Sequence, residues 1–323
     1  ELGLRDPDYF LGVVGGDLGE TIGNIIAKSY KLLSEIKPDA LLILGDTNSA
    51  LSAIPAKRLK IPIFHMEAGN RCFDENLPEE MNRRIVDHIA DVNLCYSEHA
   101  RRYLNREGRP AERTYVTGSP MAEVLTANLA GINASTVLDR LGVKEGGYIL
   151  LSAHREENID IESNFTALMN SINAMAEQYA MPVIYSMHPR SRKFIEARGF
   201  KFHKNVRGLE PFGFLDYNRL QCAAFFVVSD SGTLPEEASF LGFPGVCIRT
   251  STERPEAVDK GNLILGGITE QEVLQAAQLA VAMRQNGDNG ASVPDYADLN
   301  VSAKVVKIIQ GYTGIVNKVV WGK

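Results

Sequence analysis

Short apolar runs alternate with longer segments of helical period along this chain, and this alternation constrains its fold more than any other feature. Each run is bounded by Gly, Asp, Ser or Pro. Buried parallel strands have this form, and the helices that connect them repeat every 3.6 residues. The sequence therefore predicts an α/β fold built from parallel βαβ units. The predicted strands are 40–44, 61–65, 92–95, 114–116, 148–152, 183–186, 225–229, 245–248 and 263–265.

Segments of helical periodicity lie between these runs, and the strands form two series along the chain. The predicted helices include 21–36, 49–58, 79–90, 161–178 and 234–241. A chain of 323 residues is too long for one ordinary domain of roughly 100–200 residues, so two domains are expected. The stretch 122–147 contains few strand formers, and we place the domain joint near residues 121–125.

The composition excludes several classes of protein. Hydrophobic residues make up 45% of the chain and charged residues 23%, which is typical of folded globular proteins and not of disordered or fibrous ones. No apolar run approaches the roughly 18 residues of a membrane-spanning helix. A net charge of −6 argues against a broad nucleic-acid-binding face, although it allows a local basic pocket. Membrane and nucleic acid are therefore not expected as partners.

The four cysteines lie far apart and include no C-x-x-C pair. This spacing favours neither a disulfide framework nor a zinc site, and no clustered His and carboxylate pattern indicates another metal. We therefore predict no required metal and a reducing cytoplasm as the compartment. The first residues contain no basic and apolar secretory signal.

Polar residues directly follow six of the predicted strands. Ligands of parallel sheets bind beyond the carboxyl ends of the strands, so these positions are the first candidates for function. We expect the strand ends of both domains to face one cleft. The candidates are Asp46, Glu67, His154, Arg155, His188, Ser231, Gly232, Arg249 and Arg254.

The segment 229–237 has the pattern of a strand, a glycine turn and the start of a helix. Free N–H groups and the helix dipole make such a turn a site for phosphate, which would lie over Ser231 and Gly232. A Glu one turn into the helix could also bind ribose hydroxyls. The alternative is simple capping by Ser231, with Glu236 and Glu237 complementing the dipole.

Basic residues at two other strand ends could bind the same anion. His154 and Arg155 stand where an imidazole can bind or protonate an oxygen and a guanidinium can hold phosphate. Their alternative is a capped helix start with solvated charges. Arg249 and Arg254 could close on the anion, or instead form salt bridges with glutamates of a surface loop.

A set of carboxylates lies in the first half of the chain, formed by Asp46, Glu67, Glu79 and Glu80. Carboxylates crowded in one cleft raise one another's pKa, so they can divide general-acid and general-base roles near neutral pH. Taken singly, Asp46 or Glu67 is more often a turn cap. His65 ends an apolar strand, and we interpret it as a satisfied core histidine and not as a catalyst.

Six motifs follow one another along nearly the whole chain: HMEAGNRCFD at 65–74, PEEMNR at 78–83, SAHREEN at 152–158, HPR at 188–190, SDSGTLPEE at 229–237 and ERPEA at 253–257. In order and spacing they resemble the non-hydrolysing UDP-N-acetylglucosamine 2-epimerase family. The resemblance implies the GT-B fold, with two Rossmann-like domains about a central cleft. These would be residues 1–122, joined by a returning helix at 304–323, and residues 123–303, which would bind UDP.

The resemblance also implies a reaction without a cofactor and a role for each matched residue. UDP leaves a UDP-2-acetamido sugar, C2 of the resulting 2-acetamidoglucal is reprotonated on the opposite face, and UDP adds back. Ser231, Gly232 and Arg254 would bind diphosphate, and Glu237 the ribose. The implied catalytic residues are Asp46, Glu67, Glu79 and His154, and the implied substrate-binding residues are Arg83, Arg155, His188, Ser231, Gly232, Glu237, Arg249 and Arg254. A homodimer is expected.

The chain departs from the family pattern in two places. The family's first strand, with its Arg-Pro-Glu and Gly-Gln-His loops, is not seen, so we expect that a first βαβ portion is missing, which would leave the chain as written inactive. The NRCFD segment and the last helix resemble the branch that epimerises UDP-6-deoxy-L-hexosamines to products such as UDP-N-acetyl-L-fucosamine.

Two further functions stay open: a GT-B glycosyltransferase, since one fold serves both reactions, and a nucleotide-sugar-binding protein without catalysis.

Overall fold

The computed structural model of the protein describes residues 2–288 and 292–323. It divides into two compact units, which we call the N-terminal unit (Leu4–Pro120 with Ala297–Lys323) and the C-terminal unit (Met121–Tyr296). The strands are β1 (Leu41–Leu44), β2 (Ile63–Met66), β3 (Val92–Cys95), β4 (Thr114–Val116), β5 (Ile149–Ser152), β6 (Val183–Ser186), β7 (Val206–Leu209), β8 (Phe226–Ser229), β9 (Gly245–Cys247) and β10 (Ile264–Leu265).

The α-helices of each unit lie between or beside these strands. They are α1 (Leu18–Ile36), α2 (Ala53–Arg58), α3 (Pro78–Ile89), α4 (Glu98–Arg106), α5 (Met121–Ala134), α6 (Val137–Leu141), α7 (Glu156–Ile159), α8 (Glu162–Tyr179), α9 (Pro189–Ala197), α10 (Phe214–Ala223), α11 (Leu234–Leu241), α12 (Pro255–Asp259), α13 (Glu270–Gln285) and α14 (Val301–Trp321). Short 3-10 turns are formed by Asn48–Ser52, Ala111–Arg113 and Pro294–Tyr296. Across the described parts of the chain, no helix has both the length and the apolar character that crossing a bilayer requires.

The N-terminal unit contains a parallel sheet with the strand order β1-β2-β3-β4. Successive side chains of a strand point to opposite faces, so Ile63 and Phe64 of β2 enter two different cores. Ile63 packs in the core that includes Val86 of α3. Phe64 packs in the core that includes Val305 of α14, so the last helix of the chain covers the second face of this sheet. Each such buried side chain contributes roughly 1.5–3 kcal/mol.

The C-terminal unit contains a parallel sheet with the strand order β10-β9-β8-β5-β6-β7. The order runs outward from β5 to β7 on one side and from β8 to β10 on the other. The connections therefore reverse direction between β5 and β8, which pair along their whole length from Ile149 to Ser152. Loops that leave two such strands diverge and open a crevice at their carboxyl ends, the usual ligand position of open α/β sheets.

All nine predicted strands are confirmed, with ends shifted by at most two residues. β2 begins at Ile63 and not at residue 61, because Pro62 has no N–H to donate to a neighbouring strand. The predicted helix 49–58 is divided into a 3-10 turn and α2. The last helix begins at Val301, before the predicted residue 304. The predicted domain limits stay a prediction.

One strand was missed, β7 at the edge of the second sheet. It has only four residues, two of them Arg207 and Gly208, and both of these are exposed. An edge strand of this kind lacks the continuous apolar run that marks the buried strands.

Candidate functional site

Asp46, at the carboxyl end of β1, forms an ion pair with α3. The Nη2 atom of Arg83 lies 2.8 Å from the Asp46 carboxylate, and its Nη1 atom lies 3.4 Å from Glu80. The Arg83 side chain is buried. It therefore holds Asp46 against the first turns of α3, and removal of Asp46 would take one of its counter-charges from a buried guanidinium.

Glu67, directly after β2, has a left-handed backbone with a φ of 65°. This conformation costs a residue other than glycine about 1–2 kcal/mol. The side-chain amide of Asn70 donates a hydrogen bond of 3.2 Å to Oε1 of Glu67. The other carboxylate oxygen lies beside Gly45, where an added Cβ would come within 3.4 Å of it. The structure thus brings the Glu67 carboxylate next to the turn that carries Asp46.

The two adjacent glutamates at the start of α3 have different surroundings. Glu80 is buried, and its Oε2 accepts hydrogen bonds of 3.2 Å from the backbone N–H and the thiol of Cys72. Its Oε1 accepts a bond of 3.2 Å from Nε of Arg84. Glu79 is exposed. Of the pair, Glu79 is therefore the carboxylate that can meet a ligand from solvent, whereas Glu80 is held inside the unit.

His65 and Asp87 form a buried pair behind this turn. Nδ1 of His65 lies 2.8 Å from Asp87, and Nε2 lies 2.9 Å from the carbonyl oxygen of Gly45. Burial alone would lower the pKa of His65, but the hydrogen bond and charge of Asp87 outweigh burial and raise it. The interpretation of His65 as a satisfied core histidine is confirmed. Asp87 was missed, because its partner lies 22 residues away in sequence and no local pattern marks it.

Asp230 anchors two loops at the reversal point of the C-terminal sheet. It follows β8, is fully buried, and accepts the backbone N–H groups of His154 and Arg155, each at 2.9 Å. The side-chain amide of Asn158 donates a third bond of 3.1 Å. The loop after β5 is therefore fixed by a carboxylate from the loop after β8. Asp230 was also missed as a site residue, although its place directly after a strand was a signal for it.

The turn at Gly232 lies against a buried acidic and basic cluster. A Cβ on Gly232 would approach Oε1 of Glu253 to 3.0 Å, so this position has little room for a side chain. Glu253 is held by Arg249 at 2.6 Å and by Arg155 at 3.4 Å. Burial would raise the pKa of Glu253, but three guanidinium groups, led by that of Arg249, hold it far below its usual range.

Arg249 and Arg254 are buried, so the alternative of a surface loop is wrong for both. Arg254 pairs with Glu236 of α11 at 2.7 Å, and Arg249 pairs with Glu253 as that alternative expected. Both guanidinium groups are thus fixed in place by carboxylates, an arrangement that presents them in one geometry.

The other predicted residues of this unit lie around the same turn and on the neighbouring strand ends. The Ser231 hydroxyl bonds to the Thr233 hydroxyl at 3.0 Å and accepts the Thr233 N–H, so local capping is present. Glu237 is buried, which raises its pKa although the amide of Gln221 and the hydroxyl of Thr233 donate to it.

His154 and His188 follow the adjacent strands β5 and β6. Their ring centroids lie 5.9 Å apart. His188 also caps α9, because its Nδ1 accepts the backbone N–H of Arg190 at 3.2 Å. The structure therefore brings together two imidazoles that the sequence places 34 residues apart (188 − 154).

The described residues contain no group of three or more His, Cys, Asp or Glu side chains that could hold a metal ion. The four cysteines are free thiols, and Cys72, Cys95 and Cys247 are buried. The chemistry of the site is therefore argued below from carboxylates, imidazoles and guanidinium groups.

Residues 1–310 match the family model described as UDP-N-acetylglucosamine 2-epimerase. The chain belongs to this family. Members of the family are isomerases, and the predicted enzyme class is confirmed. A solved UDP-N-acetylglucosamine 2-epimerase from Rickettsia bellii is 45% identical and superposes with a TM-score of 0.93, covering 100% of this chain and 86% of that one.

Two further relatives are named as 2-epimerases of UDP-sugars. A Methanocaldococcus jannaschii UDP-GlcNAc 2-epimerase, solved in complex with UDP-GlcNAc and UDP, is 31% identical with a TM-score of 0.88, covering 95% of this chain and 85% of that one. The UDP-2,3-diacetamido-2,3-dideoxy-D-glucuronate 2-epimerase of Pseudomonas aeruginosa is 33% identical over 285 residues, 87% of this chain and 78% of the relative. The predicted GT-B fold class, with a parallel sheet in each of two Rossmann-like units, is confirmed.

Proposed function

We propose that the protein inverts C2 of UDP-N-acetylglucosamine without hydrolysis. A carboxylate removes the C2 proton, the C1–O bond breaks, and UDP departs with the bonding electrons to leave a 2-acetamidoglucal. A second acid protonates C2 on the opposite face, and an oxygen of the β-phosphate of the departed UDP attacks C1. The observation that carries this proposal is the approach of the Asp46 turn to the Glu67 carboxylate at adjacent strand ends.

Inversion needs proton transfer on both faces of C2, so one carboxylate is not enough. We assign the transfers to Glu67, Asp46 and Glu79, with Arg83 holding Asp46 in place. General acid–base groups contribute typically 10²–10⁴-fold to turnover. Glu67→Gln keeps the shape of the side chain and cannot exchange a proton, so turnover is expected to fall in that range while UDP affinity changes little.

We assign the binding of UDP to the C-terminal unit. Ser231 and Gly232 would bind a diphosphate oxygen at the turn after β8. Arg155, Arg249 and Arg254 supply positive charge beside it. The two imidazoles His154 and His188 would meet the substrate or the departing diphosphate, and Glu237 would bind the ribose. Donors fixed in this way stabilise the negative charge that forms as UDP leaves.

A UDP-6-deoxy-L-hexosamine, with UDP-N-acetyl-L-fucosamine as product, is the second candidate substrate. Asn70 belongs to the NRCFD segment that resembles that branch, and its amide contacts the Glu67 carboxylate. A residue of this branch pattern thus lies directly on a proposed catalytic group. The glycosyltransferase is not favoured, since the family match extends over most of the chain.

Two wider properties belong to the same proposal. The free thiols support a reducing cytoplasm as the compartment, because disulfides form in oxidising compartments. The family resemblance supports a homodimer, which analytical ultracentrifugation would test.

Proton NMR in D2O tests the proposed reaction. The complete protein is offered UDP-N-acetylglucosamine and, separately, a UDP-6-deoxy-L-hexosamine, with no acceptor present. Epimerisation predicts a new C2 epimer with deuterium at C2 for the true substrate. Transfer of the sugar to an added acceptor would instead indicate a glycosyltransferase, and UDP binding without any exchange at C2 would indicate a binding protein.

A further inference from the structure

Asp87 of α3 contacts the loop that carries Glu67. The backbone N–H of Gly69, two residues after Glu67, donates to both oxygens of Asp87, at 3.2 and 3.1 Å. Asp87 is fully buried and touches no solvent. Its carboxylate therefore supports the loop after β2 from inside the N-terminal unit.

His65 extends this support to the loop that carries Asp46. One ring nitrogen bonds to Asp87, and the other lies 2.9 Å from the carbonyl oxygen of Gly45, the residue before Asp46. Both partners of the ring, a carboxylate and a carbonyl oxygen, are hydrogen-bond acceptors. The Gly45 N–H in turn donates to the carbonyl of Met66 at 3.2 Å. A continuous chain of hydrogen bonds thus links the two loops through Asp87 and His65.

Arg71 fixes the orientation of the Asp87 carboxylate. Its Nη1 lies 2.6 Å from Asp87 and 2.7 Å from the carbonyl oxygen of Asn70. Nε and Nη2 of the same guanidinium bind Glu107 at 2.9 and 2.6 Å. Asp87 consequently accepts bonds from a guanidinium, an imidazole and a backbone N–H group, and these donors together leave it one orientation.

We propose that Asp87 is a positioning residue which, through His65 and Gly69, sets the relative placement of the Asp46 and Glu67 carboxylates. The inference rests on the proposed function. A displacement of about 1 Å between reacting groups can cost up to about 100-fold in rate. The left-handed backbone of Glu67 also persists only where its surroundings hold it, and the Gly69–Asp87 bonds supply that restraint.

Asp87→Asn tests this role, with Asp91→Asn as the matched control. Asp91 is also a buried carboxylate of this unit, and it accepts the N–H of Ile63 at 3.0 Å and binds Lys57 at 2.5 Å. It lies at the opposite end of β2 from Glu67. Both variants should lower the melting temperature. Only Asp87→Asn should lower kcat, by about 10- to 100-fold, with KM and UDP affinity unchanged.

A double-mutant cycle separates positioning from general loss of structure. If Asp87 acts through Glu67, Asp87→Asn should reduce kcat little further in a Glu67→Gln background, because the group that it positions no longer exchanges a proton. His65→Gln provides a second variant should Asp87→Asn not fold. It breaks the link to Gly45 and should likewise lower kcat with UDP affinity unchanged.

The outcomes distinguish this inference from the proposed function. Absence of C2 exchange in the unsubstituted enzyme would overturn the proposed function and this inference with it. Normal exchange in that enzyme, together with full kcat in folded Asp87→Asn and His65→Gln, would overturn only the inference. Equal kcat losses in Asp87→Asn and Asp91→Asn, or fully additive losses in the double-mutant cycle, would likewise overturn only the inference.

Discussion

Glu67 occupies a backbone conformation that is unfavourable for every residue except glycine. Its φ of 65° lies in the left-handed region, directly after a buried strand. Asn70 and the Asp87-bound Gly69 hold the flanking chain in place. Strain of this kind is maintained by its surroundings and is concentrated at functional sites. At the scale of single residues, the backbone strain at Glu67 thus lowers the stability of the fold while it orients one carboxylate.

Two single variants that place a small residue at position 67 should reveal this backbone strain. Glu67→Gly and Glu67→Ala remove the same carboxylate, so their difference isolates the backbone. We expect Glu67→Gly to be more stable than Glu67→Ala by about 1 kcal/mol, measured by urea denaturation. Arg102, exposed within α4, is the control, because there Ala should be more stable than Gly by about 1 kcal/mol. An alanine variant at position 67 as stable as the glycine variant would show that no strain is stored there.

At the scale of elements, the carboxyl ends of β5, β8 and β9 supply the proposed UDP contacts. These strands are neighbours in the sheet, so three loops that are distant in sequence converge. Arg254 lies at the start of α12 and pairs with Glu236 at the start of α11. Its guanidinium is therefore held in place before any ligand arrives, which lowers the entropy that binding must overcome.

Arg254→Ala should weaken UDP binding by roughly 1.5–3 kcal/mol, because a charge-assisted hydrogen bond to diphosphate is lost. Titration calorimetry measures this directly. Glu236→Gln is the control, since it breaks the same ion pair but keeps the guanidinium. Equal weakening in both variants would mean that Arg254 only supports the fold, and unchanged affinity in Arg254→Ala would remove it from the site.

The elements themselves were largely predictable from sequence, and the exceptions have physical causes. Buried strands such as β8 consist of consecutive apolar residues, which a local pattern reveals. The edge strand β7 carries Arg207 and Gly208 and shows no such pattern. The partners of Asp87 and Asp230 could not be predicted, because they come from other parts of the chain and only the folded chain brings them together. The position of Asp230 directly after a strand was the one signal for either residue.

At the scale of the whole molecule, the buried His65–Asp87 pair links stability to pH. The pKa of His65 is raised above its usual 6.5, since Asp87 outweighs the effect of burial. The pKa of Asp87 is lowered below its usual 3.8, since His65 and Arg71 outweigh burial in turn. The His65 contribution is therefore complete below pH 6.5 and is lost as pH rises through the raised pKa. The Asp87 contribution is complete above pH 3.8 and is lost as pH falls through the lowered pKa.

The free energy of unfolding should therefore decline as pH rises above 6.5, and Asp87→Asn should flatten this decline. Urea denaturation at about pH 5.5, about pH 7.0 and about pH 8.5 compares the free energy of unfolding of the two proteins. The variant is expected to be less stable at each pH, with the difference largest at the lowest one. An identical slope in the two proteins would show that Asp87 does not stabilise the protonated form of His65.

The division of the whole chain into two α/β units was visible in the sequence because each unit has its own series of strands. The roles of adjacent residues were less visible. Glu79 and Glu80 are indistinguishable by type, and only the phase of α3 makes the first exposed and the second buried. The family motifs singled out Glu79, which the structure leaves accessible to a ligand.

Reversible departure of UDP is the central claim, and positional isotope exchange tests it most directly. UDP-N-acetylglucosamine carrying ¹⁸O in the bond between C1 and the diphosphate is incubated with the complete enzyme and followed by ³¹P NMR. If the C1–O bond breaks, the β-phosphate of the departed UDP can rotate, and any of its three terminal oxygens can then attack C1. The label should therefore move from the bridging to the non-bridging positions of the β-phosphate, at least as fast as the C2 epimer forms. Formation of the epimer with the label still in the bridging position would contradict elimination.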